Sequence, residues 1–371
     1  MILLSSIIDT FEADLLERYQ DSLLPSHRQA LAAMKQCRTT HSPVMLAECE
    51  GCASQVYIPH SCGHRNCPHC QQHESQQWLE RQLQKRVPAE YFLVTFTLPK
   101  ELRSLAWQQQ RTLYSLMTRY AWETLKTFTQ NDPLLKGNAG AITVLHTHSR
   151  RLDYHPHVHC VIPAAAIDTE QRLWRTKTSK CKAKNSNKTG YLFNHKALAK
   201  VFRAKLLVAI RTEGLALPDR YPEKWVVDVK SVGSGDKALV YLGRYLYKGV
   251  IQEKDIIACR DGQVTFRYQD SKTKKMQTQT LPGTKFLWLI LQHVLPKGFR
   301  RARNFGFLHP NSKRLIGLLQ YLLGVNPNQA LAWLRKRPTF TCSCCGGDMR
   351  IVKTRLSPFL RSLAMTICQP G

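Results

Sequence analysis

Residues 154–162 run Tyr154-His155-Pro156-His157-Val158-His159-Cys160-Val161-Ile162. In an extended strand successive side chains point to opposite faces, so His155, His157 and His159 share one face while Val158 and Cys160 take the other. The segment therefore predicts a strand with a core side and a chemical side. Two imidazoles at neighbouring positions on one face can grip a single metal ion. Mn²⁺ suits such ligands, as does Mg²⁺ when water and a phosphate oxygen complete its shell, and either ion polarises a scissile phosphate. A third ligand is expected. His146 and His155 are both candidates.

The surrounding sequence supplies a frame for that strand. Tyr91–Leu98 is β-branched and aromatic and stops at a proline, as a strand entering a core does. Residues 101–130 carry Leu102, Leu105, Leu113, Leu116, Met117 and Tyr120 at helical spacing and end at Asn131-Asp132-Pro133. Ala141–His148 and His157–Ile162 form a hairpin pattern around the polar, basic segment Ser149–Tyr154. Ala197–Arg211 is helical and Trp225–Val232 a strand. Lys237–Lys248 is a helix opened by Gly233-Ser234-Gly235-Asp236, with Asp236 as its expected N-cap. Val264–Tyr268 adds a further strand. The pattern is α+β, with a central domain expected over residues 87–270. Basic loops are expected at 176–188 and 271–275, and a mostly helical, basic C-terminal region over 271–371.

On the helix at 237–248, Tyr241, Tyr245 and Lys248 fall on one face, because i, i+4 and i+7 nearly coincide at about 3.6 residues per turn. A phenol with a reference pKa of about 10 needs a nearby cation or metal to act as a nucleophile. Lys248 and Arg244 are the cations the sequence places near it. The same spacing also fits two core aromatics.

The cysteines cluster toward the two ends. Cys49-x2-Cys52 and Cys67-x2-Cys70 are two knuckle-like pairs, and tetrahedral Zn²⁺ takes four such thiolates. Cys49, Cys52, Cys67 and Cys70 are therefore the expected ligands of one structural zinc in an N-terminal module, residues 1–86. Cys62 and His64 are possible substitutes. Cys342 and Cys345 have the look of half of a second site.

Charge points to the partner. The 371-residue chain carries 54 Lys+Arg against 26 Asp+Glu, a formal charge of +28. Such a surplus suits a polyanion, because each phosphate neutralised releases a condensed counterion. Lys297, Arg300, Arg301 and Arg303 form a cationic run and, with Arg244, are expected to contact nucleic acid. Met1–Ser6 does not resemble a secretory signal, and no apolar run approaches the roughly 20 residues that span a bilayer. A cytoplasmic, nucleoid-associated protein with reduced cysteines is expected.

Together these segments resemble the rolling-circle transposases of the insertion sequence ninety-one family, members of the HUH (His-hydrophobe-His) nuclease superfamily. The similarity is carried by Tyr154–Cys160, by Tyr241-Leu242-Gly243-Arg244-Tyr245, by Ser61-Cys62 through Cys67-Pro68-His69-Cys70, and by His293–Phe299. Asn66 stands where many relatives have His, and Lys248 where Arg is common. The resemblance implies a central antiparallel sheet flanked by helices, with the histidines on a middle strand. It implies that His157 and His159 hold a divalent ion, and that Tyr241 and Tyr245 attack single-stranded DNA at transposon ends, leaving a 5′-phosphotyrosine and a free 3′-OH. A replication initiator or conjugative relaxase would share that chemistry. A zinc-dependent DNA-binding regulator, or an inactive transposase copy, would use the same residues structurally.

Overall fold

The structure, a computed structural model, describes residues 2–178, 192–247, 249–270, 273–331 and 340–360. In chain order the first elements are α1 (Leu4–Arg18), α2 (Pro25–Gln36), β1 (Val44–Cys49), β2 (Gln55–Pro59), α3 (Gln72–Leu83), β3 (Tyr91–Thr97), α4 (Arg103–Gln108) and α5 (Gln110–Asn131). Then come β4 (Gly140–His148), β5 (Tyr154–Pro163), β6 (Ala165–Asp168), β7 (Leu173–Thr176), α6 (His195–Thr212), β8 (Val227–Ser231) and α7 (Asp236–Tyr247). The last are β9 (Ile256–Arg260), β10 (Gln263–Gln269), β11 (Met276–Pro282), α8 (Gly283–Leu291), β12 (Ala302–Gly306), α9 (Lys313–Leu322), β13 (Phe340–Thr341) and β14 (Asp348–Leu356).

The chain forms two units, each gathered from separated segments. One holds residues 75–246 and 295–333; the other holds residues 1–74 and 247–294 with the described residues after 334. The boundaries expected near 86 and 270 do not match this division, because strand pairing recruits segments distant in sequence.

In the unit containing residues 75–246, a five-stranded sheet has the order β12-β4-β5-β3-β8, antiparallel throughout. The histidine strand β5 is its middle strand. Register sorts the side chains: Val158 lies opposite Phe96 and Cys160 opposite Val94, while His157 lies opposite Thr97 and His159 opposite Thr95. The first set is fully buried in a core with Leu113, Tyr114, Met117, Leu125, Phe202 and Leu206 from α5 and α6. Those helices bury apolar side chains at i, i+3/i+4 spacing, the stripe that packing on a sheet requires. Asn194 caps α6, its side chain accepting from the Lys196 and Ala197 amides. The architecture is α+β, a central antiparallel sheet flanked by helices.

In the other unit, α1 packs against α2 and α8, burying Leu4, Ile7, Ile8, Phe11 and Leu15. Two sheets accompany it, one of order β13-β14-β1-β2 and one of order β11-β10-β9.

The C-terminal region is not mostly helical. Only α8 and α9 are helices of any length there, among the described residues, while β12 completes the five-stranded sheet and β14 pairs with β1. β14 is exposed at nearly every position and β12 half-buried along most of its length, so neither shows alternating polarity; ladder bonds to distant strands make them strands. No helix among the described residues is long and apolar enough to cross a membrane. Most of the basic stretch 176–188 lies outside the described residues, as do 271–272.

Gly306 ends β12 with φ +58, and a Cβ there would meet the Ala139 carbonyl oxygen at 1.7 Å. Gly306→Ala should cost about 2 kcal/mol or more, because a left-handed conformation and a backbone clash add. Urea unfolding of the full chain should show a lower midpoint with little change in slope.

Candidate metal centre and tyrosine helix

Register brings three imidazoles together. His146 on β4 lies directly opposite His157 on β5, and one ring nitrogen from each of His146, His157 and His159 falls within 4.8 Å of the others. Of the two candidates for third member, His146 is the one whose ring lies in this cluster. His155 turns away, its Nδ1 meeting the Arg103 guanidinium.

The second nitrogens of two of these rings are engaged. His157 Nδ1 lies 2.7 Å from the His155 carbonyl oxygen, to which it donates. His159 Nδ1 lies 2.8 Å from Thr95 Oγ1. The carbonyl contact leaves His157 Nε2 with its lone pair, and the Thr95 hydroxyl, which can accept from His159 Nδ1, is compatible with the same tautomer there, the arrangement that orients a metal-binding imidazole. His146 is 1% exposed, and neither of its nitrogens has a hydrogen-bond partner. A buried polar atom without a partner is costly, so this ring fits a cation as its missing partner. Burial holds His157 down to about 4 and keeps His146 and His159 well below the usual imidazole range. The trio is therefore neutral at pH 7, as metal ligation requires.

Helix α7 lays its tyrosines over this cluster. The Tyr245 ring stacks on His146 at 4.3 Å between centroids and on His148 at 5.2 Å. Tyr241 lies 4.9 Å from Tyr245, 6.1 Å from His159 and 6.3 Å from His146, and is 38% exposed. Partial burial and the Tyr245 neighbour push the Tyr241 phenol up, and Arg150 opposes them. Arg150 belongs to the basic hairpin between β4 and β5, where the sequence showed charge but no direction. Lys248 and the Arg244 side chain lie outside the described residues.

Three interactions place α7. Asp236 is its first residue rather than its N-cap, and its carboxylate takes the Arg86 guanidinium and the Ser234 hydroxyl. Gly243 packs beside the Trp78 ring, where a Cβ would sit in ordinary van der Waals contact at 3.4 Å. Arg301, expected to contact nucleic acid, is instead buried: its Nη1 donates to the carbonyl oxygens of Tyr245 at 3.1 Å and Leu246 at 3.5 Å. These are end-of-helix carbonyls without intrahelical partners, where a cation is favoured. Spacing alone could not separate Arg301 from its neighbours, since only the β12–β4 pairing turns it inward.

The other members of that run stay outward. Lys297 and Arg300 are exposed, while Arg303 donates to Ser115 Oγ at 3.2 Å and lies 5.5 Å over Phe299. Arg300 and Arg303 join Arg81, Lys85, Arg111 and Lys313 around an open groove of about 1130 Å³ whose lining, among the described residues, contains no carboxylate. Arg81 and Lys85 came from no sequence motif.

The cysteines assort differently from expectation. Cys37, Cys62, Cys67 and Cys70 form one tetrad, and Cys49, Cys52, Cys342 and Cys345 another, the sulfurs of each within 4.8 Å. Cys49 and Cys52 therefore do not join Cys67 and Cys70. Cys62 is a full member, Cys37 was missed because it stands alone in sequence, and His64 belongs to neither.

Two family models match separate stretches of the chain. Residues 7–98 match the family model described as "Transposase zinc-binding domain", and residues 140–315 match the one described as "Putative transposase". The chain is 29% identical over 326 residues to "Putative transposase y4qJ" of Sinorhizobium fredii, covering 80% of this chain and 79% of that one. It is 29% identical over 351 residues to "Transposase for insertion sequence element IS801" of Pseudomonas savastanoi pv. phaseolicola, covering 86% and 82%. A conjugative relaxase, TrwC, in complex with oriT DNA aligns with 63% of this chain and 72% of its own at 15% identity and a TM-score of 0.25.

Arg301→Ala should leave the α7 carbonyls and a buried cavity unsatisfied, at a cost of about 2–3 kcal/mol. Arg301→Lys should recover only part, since an ammonium cannot reproduce the fork. Thermal unfolding of the three proteins should rank them wild type, Lys, Ala.

Proposed function

The chain belongs to the family of transposases that these two family models describe, and on that premise we propose that it cuts and rejoins single-stranded DNA through Tyr241 and Tyr245. The observation that carries this reading is a cluster of three histidines whose ring nitrogens converge, with Tyr245 stacked on His146 and Tyr241 within about 6 Å of His146 and His159. Core aromatics need no such company.

His146, His157 and His159 are the proposed ligands of a divalent cation, Mg²⁺ or Mn²⁺. When bound, that ion would polarise a phosphodiester and stabilise charge developing on it. The protein's own groups do the rest. Thr95 and the His155 carbonyl hold two rings in orientation, and Arg301 and Asp236 hold α7 so that Tyr241 overhangs the trio. Tyr241, the more exposed phenol, attacks phosphorus: its Oη–P bond forms, the P–O3′ bond breaks, the phenolic proton departs and the leaving oxygen gains one. The products are a 5′-phosphotyrosine and a 3′-OH, and the bond energy of the diester is retained for rejoining. Arg150 favours the phenolate in this step. Tyr245 stands ready for a second strand.

Zinc belongs to the N-terminal domain. Cys37, Cys62, Cys67 and Cys70 fit it: a tetrahedron of Zn–S bonds of about 2.3 Å has S···S edges near 3.8 Å, and here Cys37–Cys70 is 3.3 Å and Cys62–Cys70 3.6 Å. Four protein ligands leave no open position, so this ion would be structural.

The carboxylate-free groove is the proposed path of the DNA backbone. Burial and then the Arg300 charge lower the proton affinity of Arg303, and burial and then the Arg81 charge lower that of Lys85; a phosphate beside them relieves such crowding. Of the rings lining it, Trp78 and Phe299 are buried, Phe305 is half-buried and His309 is exposed, so its cations are proposed to hold the phosphates.

Incubation with a 3′-labelled single-stranded oligonucleotide carrying the element's end, with Mg²⁺ or Mn²⁺, should give a covalent adduct on a denaturing gel. Tyr241→Phe with Tyr245→Phe should abolish it, and His146→Ala should reduce it at least 100-fold while His155→Ala retains most. Tight binding without adduct in either metal would sink the enzyme reading and favour a DNA-binding regulator.

Arg300→Ala with Arg303→Ala should weaken binding alike for all sequences. The slope of log K against log salt should shrink by about 0.7 for each phosphate that is no longer neutralised. An unchanged slope would place the backbone elsewhere.

A further inference from the structure

The tetrad of Cys49, Cys52, Cys342 and Cys345 joins residues about 290 positions apart in sequence, and its two halves are built alike. In the first, Cys49 N donates to the Ser54 carbonyl at 2.9 Å, Ala53 N to the Cys49 carbonyl at 3.2 Å, and Gly51 N to Cys49 Sγ at 3.3 Å. In the second, Cys342 N donates to the Gly347 carbonyl at 2.8 Å, Gly346 N to the Cys342 carbonyl at 3.0 Å, and Cys344 N to Cys342 Sγ at 3.4 Å. Each of these three bonds connects the same relative positions in both turns. Each turn also places a left-handed residue just after its second cysteine, Ala53 at φ 56 and Gly346 at φ 73. An alanine held in that conformation is strained, and strain of this kind persists where the surroundings demand it.

The two turns face each other. Cys49 and Cys345 sulfurs are 3.4 Å apart, and those of Cys52 and Cys342 3.6 Å, near the edge of a zinc tetrathiolate and well beyond the S–S bond of about 2.0 Å. An amide N–H aimed at a sulfur, as in both turns, suits a metal-bound thiolate.

The hairpin that carries Cys342 and Cys345 is held by its ladder to β1 rather than by apolar burial. β13–β14 pairs with β1, yet Phe340, Ile351 and Val352 are exposed and β14 buries no residue fully. A hairpin without an apolar face is marginal in water unless stapled.

We propose that Cys49, Cys52, Cys342 and Cys345 bind a second Zn²⁺, which fastens the β13–β14 hairpin to the β1–β2 hairpin and makes the four strands one metal-centred sheet. Two thiolates come from each end of the chain. The N-terminal segment therefore holds only half of this site. The site depends neither on the tyrosine chemistry nor on the tetrad of Cys37.

The full-length protein, purified in reductant, should contain two zinc ions per chain by elemental analysis, and X-ray absorption should show four sulfurs around each. Cys342→Ser with Cys345→Ser should leave one zinc, and hydrogen exchange across residues 340–356 should quicken at least tenfold. Cys37→Ser with Cys62→Ser should remove the other zinc without that local change. Cys345→His should keep both ions, which guards against a serine variant that merely misfolds. One zinc in wild type, two zincs surviving in the Cys342/Cys345 serine variant, iron in place of the second zinc, or non-reducible alkylation showing two disulfides among these four cysteines would each overturn the proposal.

Discussion

The register of β5 between β4 and β3 is the constraint on which the unit containing residues 75–246 depends. Because side chains alternate with a period of two, one choice of register sends Val158 and Cys160 into the α5–α6 core and His157 and His159 to the opposite face. A slip of one residue would bury the histidines among leucines and expose the core side chains. Burial of the hydrophobic face therefore fixes the position of the polar one. His146 arrives opposite His157 by the same ladder, and Thr95 opposite His159, so the site is assembled by the forces that build the sheet.

The helix above it is placed by specific interactions rather than by burial alone. Arg86 and Ser234 hold its first residue, Trp78 meets Gly243 along its length, and Arg301 takes the carbonyls at its end. Both tyrosine rings then overhang imidazoles that are neutral because they are buried. That desolvation has two consequences of opposite sign: it keeps the ring nitrogens unprotonated for a metal, and it raises the phenol that is to be deprotonated. The proposed chemistry needs a cation for that reason, and among the described residues Arg150 acts on Tyr241 in that sense.

The cysteines follow a different logic. A Cys-x2-Cys turn organises two thiolates locally, but nothing local says which other pair completes the tetrahedron. The nearest pair in sequence is the natural guess for Cys49 and Cys52, yet β1 pairs with β14 and so delivers Cys342 and Cys345 instead. Cys67 and Cys70 are completed by Cys62 and by Cys37, a lone cysteine just after α2.

The sequence by itself determined the features that depend on neighbours along the chain. These are the histidine strand and its two faces, the helix that sets Tyr241 above Tyr245, the long amphipathic helix now divided into α4 and α5, and the surplus of positive charge. Strand and helix periods are local properties of the backbone, so such features survive without knowledge of the fold. Only the tertiary structure decided the choice of His146 over His155, the inward turn of Arg301, the strands β12 and β14, and the partition of eight cysteines into two tetrads. Each of those depends on which distant strands exchange hydrogen bonds and in what register. The energy of that choice lies in burial and ladder bonds summed over a whole sheet, which no short segment encodes.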